Sequence, residues 1–80
     1  MPLEHHPLSR EFPELKPQLG ALLAADGHFA RMAEEYEELD KRIYEVESGR
    51  IAMDEMLLLG LKMQRVSLKD ELGQLLRGGA

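Results

Sequence analysis

The chain has 80 residues, with 10 Lys and Arg against 15 Asp and Glu for a net charge of -5. This is about half the length of a typical domain, so one small domain is the ceiling. Apolar residues at 44% and charged residues at 31% fit a folded chain, and the absence of Cys excludes disulfides, thiolate metal sites and a Cys nucleophile.

The opening Met1-Pro2-Leu3-Glu4-His5-His6-Pro7 has no apolar stretch like a signal peptide. The longest apolar run, Met56 to Leu61, is far short of the ~20 residues that span a bilayer. The expectation is a cytoplasmic protein with no membrane association. Residues 1–8, with two prolines and two adjacent histidines, read as a flexible arm. Residues 9–25 read as a short N-terminal helical segment. Ser9 is placed to cap it, and Glu11 suits its first turn. Its apolar positions are Phe12, Leu15, Leu19, Leu22 and Leu23. Pro13 falls near the first turn, but Pro17 disfavours helical geometry at Lys16, which predicts a kinked helix or two short pieces.

Residues 26–77 read as a helical hairpin. Asp26 is a good N-cap for its first long helix. The stripe Phe29, Met32, Tyr36, Leu39, Ile43, Val46 has alternating spacings of three and four, the a/d pattern of a coiled coil. The phase slips at Asp26-Gly27, which predicts a break there. Gly49 can take the left-handed C-cap conformation, and the turn falls near 49–53. Asp54 and Glu55 place acid on the first turn of the second long helix. Its stripe is Leu58, Leu61, Arg65, Leu68, Leu72, Leu75. Residues 78–80 read as a frayed tail. Two helices of about 24 residues joined by a short loop fold back antiparallel. The predicted fold is all-α: an antiparallel two-helix coiled-coil hairpin with a short, kinked N-terminal helix.

A chain this short buries only about 60–65% of its unfolded surface, so it depends on regular helices or partner chains. The second long helix has apolar surface to spare. Met56, Leu59, Met63 and Val66 form another stripe, offset from the first. In a monomer that stripe would leave an apolar patch in water. These four residues are the predicted oligomer or partner interface, in a dimer or tetramer.

Phe12-Pro13-Glu14, His28-Phe29, Tyr36-x-x-Leu39-Asp40-x-x-Ile43-x-x-x-Glu47 and Leu61-Lys62-x-x-Arg65-x-x-Leu68-Lys69-Asp70-Glu71-Leu72 together resemble the YdcH-like family of short bacterial proteins of uncharacterised function. The resemblance covers roughly residues 8–76. It implies a helical hairpin and brings no established activity or catalytic residue. The family usually opens its second helix with Ser-Asp-Glu, where this chain has Met53 in the Ser position. It is usually polar where this chain has Leu59 and Gly60.

The polar residues offer little chemistry. His5 and His6 are adjacent on the arm, no His pair stands at i, i+4, and His28 sits at a helix start, where it can donate to backbone or carboxylate. Glu34, Glu35, Glu37, Glu38 and Asp40 form an acidic run that a helix spreads around its polar face. Arg65 interrupts a leucine seam, where a polar residue can set register. With the turn centred near Ile51, facing residues sum to about 102, which puts Lys62 or Arg65 within a turn of Asp40. Asp40, Lys62 and Arg65 are therefore the predicted structural ion pair. There is no glycine-rich phosphate loop and no Ser/His/Asp set. The expectation is no enzyme, no catalytic residue, no cofactor and no metal.

The function that follows is a small protein-protein interaction or self-assembly module. A nucleic-acid- or ribosome-associated accessory factor is the alternative. Few basic residues and a net charge of -5 leave counterion release little to draw on, so nucleic acid is disfavoured.

Overall fold

Each helix boundary follows from the chemistry of the residues at it. The computed structural model describes residue 5 and residues 7–78. Of the predicted flexible arm, residues 1–4 and 6 lie outside the described residues, as do 79–80 of the predicted tail. The first helix, α1, is Leu8–Glu11. Ser9 does not cap it. Pro7 stands at the N-cap with φ -63 and ψ 150, and its carbonyl accepts from the N–H groups of Arg10 and Glu11. Burial of Leu8 draws the helix start forward to that residue.

Phe12 leaves helical geometry at φ -127 and ψ 62, as the residue before a proline is biased to do. A single 3-10 turn, Pro13–Leu15, follows, and then α2, Lys16–Ala25. Of the two expected forms, a kinked helix or two short pieces, the structure has separate pieces and no kink at Pro17. Lys16 is helical, with φ -55 and ψ -43, and Pro17 lies in the first turn of α2. A first-turn proline loses only an N–H that has no partner within the helix. The breaks fall at Phe12 and Leu15 instead.

Asp26 ends α2 in extended geometry and caps α3, Gly27–Glu47. Its Oδ1 accepts from the N–H groups of His28 at 3.0 Å and Phe29 at 3.1 Å. That cap fixes the bend marked by the phase slip. Ser48 closes α3, and Gly49 follows with φ +84, a left-handed conformation that glycine adopts at little cost. Asp54 lies outside the first turn of α4, Glu55–Leu76, as its cap: Oδ1 accepts from the Met56 N–H at 2.7 Å. Asp54 thus does the work of the missing Ser at Met53. The two long helices have 21 and 22 residues, slightly fewer than the spacing suggested, because both caps lie inside the expected range.

The fold is all-α, with no strand among the described residues. α3 and α4 pack as an antiparallel hairpin. Phe29, Met32, Tyr36 and Ile43 of the α3 stripe are buried, and Leu72 and Leu76 of α4 join the first three at the open end. There α1 and α2 add a third layer, bringing Leu8, Phe12 and Leu19 into one cluster with Phe29, Tyr36 and Leu72. Gly73 leaves room for this docking. A Cβ on it would stand 2.9 Å from Arg77 Nη1 and 3.1 Å from two carbons of the Phe12 ring, so a larger residue there requires both side chains to shift. The Arg77 guanidinium covers the ring, 5.7 Å from its centroid.

The third layer covers one end and one flank of the hairpin. Among the described residues, nothing covers the outer face of the loop-proximal half of α4. Met56 is 75% exposed, Leu59 52%, Met63 63% and Val66 57%.

The packing predicts a local effect for Phe12→Ala. Truncating a buried Phe costs about 3–5 kcal/mol, but a peripheral layer can detach for less than that. Amide exchange should accelerate across 8–25 while the amides of α3 and α4 stay protected. Uniform acceleration over the whole chain would show that the hairpin depends on its N-terminal layer.

Candidate functional site

Two places combine polar and apolar groups in ways that a simple hairpin does not require. One lies beside α1 and centres on Asp40. The other is the uncovered surface of α4.

Asp40 is 5% exposed, the one charged residue buried among those described. Arg65 Nη1 donates to Asp40 Oδ1 at 2.8 Å. His5 Nδ1 lies 3.2 Å from Oδ2, with the ring N–H as donor because a carboxylate only accepts. The His5 ring also stacks on Tyr44, at 4.1 Å between centroids and 20° between planes. Both carboxylate oxygens are therefore engaged, which is what a buried charge requires. His5 belongs to this cluster, against the expectation that it lies on a loose arm. Its stack on Tyr44 supplies an apolar contact that sequence spacing could not reveal. His6 lies outside the described residues. At His28 the backbone N–H meets the Asp26 carboxylate.

Lys62 does not reach Asp40. Its Nζ pairs with Glu47 at 2.9 Å. Side chains on a helix lean toward its N-terminus, which in α4 is the loop end. Arg65 thereby reaches Asp40 from one turn away, and Lys62 overshoots to Glu47. Lys69 Nζ lies 3.6 Å from Glu11. The three basic residues of α4 each face a carboxylate.

One turn before Asp40, Tyr36 is buried, and its phenol is pushed up to about 12. Desolvation is the main cause. The negative charges of Glu11 and Asp40 add to it, and Arg65 opposes it. The cluster holds charge in a fixed geometry and presents no open cleft. The molecule measures 37 × 22 × 17 Å, about one and a half helix diameters at its thinnest. Among the described residues, no group of three His, Cys, Asp or Glu side chains is arranged to hold a metal ion. No helix among the described residues is long and apolar enough to cross a membrane.

The acidic run divides. Glu34, Glu35, Glu37 and Glu38 are exposed, and Asp40 turns inward. On α4, Met56, Leu59, Met63 and Val66 share the outer face, opposite the stripe that packs on α3. Next to this face, on the flank without N-terminal helices, a groove runs between α3 and α4. Leu39, Leu61 and Leu68 line it with Glu35, Glu38 and Glu71. Sequence reasoning missed this groove. Its available signal was Gly60 and Ser67, two small residues seven apart on one side of α4.

A family model described as protein of unknown function, DUF465, matches residues 29–76. The match takes in α3 from Phe29, the turn and α4, and leaves out α1 and α2. The YdcH-like proteins belong to this family. No curated protein and no solved structure matches the chain.

The burial of Asp40 predicts that Asp40→Ala destabilises more than Glu37→Ala. Removing one partner of a fully buried pair costs ~3–5 kcal/mol. Arg65 and His5 are partly solvated, so about 2 kcal/mol is expected, against about 0.5 kcal/mol or less for exposed Glu37. Thermal melts compare the two, and equal melting would place the whole acidic run in solvent. Tyr36 adds a pH signature. Its folded pKa lies above the unfolded value of 10.0. The unfolded chain therefore gives up its proton first as pH rises. Stability should be fully present below pH 10 and fall between pH 10 and about 12. Tyr36→Phe should flatten that decline in denaturant titrations, and an unchanged slope would remove Tyr36 as its source.

Proposed function

The chain belongs to the DUF465 family, and we propose that it is a helical-hairpin self-assembly module in which two copies pair through the outer face of α4. The observation that carries this reading is the exposure of Met56, Leu59, Met63 and Val66 on one face. Each such side chain contributes ~1.5–3 kcal/mol when fully buried. Four of them together form the kind of patch that marks an interaction site.

The spacing favours a second copy over an unrelated partner. The four residues are placed at intervals of three, four and three, which reads the same in both directions. Two antiparallel copies of α4 crossing between Leu59 and Met63 bring Met56 against Val66 of the other copy. Leu59 then meets Met63. Such a self-complementary patch is what a two-fold dimer needs.

No catalytic role is part of this reading. Phosphate binding is also disfavoured. Lys62, Arg65 and Lys69 face Glu47, Asp40 and Glu11 within the chain, which leaves no basic patch on α4.

Light scattering after gel filtration at micromolar concentration tests the proposal. The expected mass is that of a dimer. Leu59→Glu should yield a monomer with unchanged helical content, because Leu59 contributes little to the core of its own chain. A wild-type monomer, or a Leu59→Glu protein of unchanged mass, would overturn the proposal.

A further inference from the structure

We propose that the groove between α3 and α4 is a second docking surface, and that its occupant is a basic amphipathic helix from another protein. Its floor is apolar: Leu39, Leu61 and Leu68 are only partly buried by the hairpin. Its α4 wall has two gaps, because Gly60 and Ser67 line it on either side of Gln64. A Cβ on Gly60 would meet nothing within 4 Å. The groove is open along the hairpin axis. Such a trough cannot enclose most of a small molecule, as a ligand site does, but it suits a helix laid lengthwise.

The rim identifies the helix. Glu35 and Glu38 stand on the α3 side and Glu71 on the α4 side, against one cation, Arg42. The occupant that complements this rim has an apolar stripe flanked by Lys or Arg. A second copy of this chain is a poor fit, since its α3 and its net charge of -5 would set like charges against the rim. The phosphates of a nucleic acid would be repelled for the same reason. This surface is distinct from the outer face of α4, although Met63 and Ser67 form a lip common to both. The inference does not depend on the dimer.

The probe is a fluorescent helical peptide of about 18 residues, enough for a marginally stable helix in water. It carries a leucine stripe flanked by Lys, and a matched peptide carries Glu in place of Lys. Anisotropy should report binding of the Lys peptide only, weakening as salt is added. The E35K/E38K/E71K protein should lose about tenfold or more in affinity. The E14K/E34K/E37K protein makes the same charge change on exposed residues outside the groove, and should lose less than about threefold. Ser67→Trp fills the groove without altering charge and should abolish binding while circular dichroism stays helical. The monomeric Leu59→Glu protein should still bind, which separates this surface from self-pairing. Equal losses in the two charge-reversal proteins, binding of the Glu peptide, or full affinity in Ser67→Trp would each overturn the proposal.

Discussion

The structure is organised by a mismatch between two helices. α3 has one apolar face, and α4 has apolar residues nearly all round in its first half. A single neighbour can cover only one side of a helix. At the open end the surplus is met within the chain, where Leu8, Phe12 and Leu19 complete the core over Leu72 and Leu76. At the loop end α1 and α2 do not reach, and Met56, Leu59, Met63 and Val66 remain in water. The proposed self-pairing of α4 would cover that surplus.

Asp40 and Arg65 set how the hairpin meets its N-terminal layer. A buried carboxylate with one partner would be costly, but with Arg65 on one oxygen and His5 on the other it becomes a register device. Leucines along the seam can slide past one another at low cost, whereas a buried charge tolerates only the register that satisfies it. The pair also ties the N-terminal segment to the middle of α3. Phe12 against Gly73 ties it to the end of α4. These two attachments define which flank is covered and so which flank is left as a groove.

Much of the fold was legible in the sequence because its signals are periodic and local. The α3 stripe, the Asp26 cap and the Gly49 turn each depend on neighbours within a few residues. Arg65 stood out because it breaks a leucine seam. Other features depend on geometry that spacing does not carry. Ser9 looked like a cap, yet Pro7 supplies the carbonyl that starts α1, because burying Leu8 sets where the helix begins. Pro17 looked like a kink, and its place in a first turn made it harmless. Lys62 and Arg65 were equal candidates for Asp40 until the lean of helical side chains separated them. His5 and the groove lining come together only through tertiary packing. Neither has a motif.

The central claim is antiparallel self-pairing centred between Leu59 and Met63, and mixed-label nuclear Overhauser spectroscopy tests it most directly. One copy carries labelled Leu and Val methyls, the other labelled Met methyls, and the two are mixed in a deuterated background. At about 1 mM protein, any pairing stronger than roughly -4 kcal/mol populates the dimer. Every Leu–Met or Val–Met cross-peak then arises between copies. The account predicts cross-peaks from Leu59 to Met63 and from Val66 to Met56. Their absence, with Met56 and Met63 methyls as mobile as in free solvent, would contradict it.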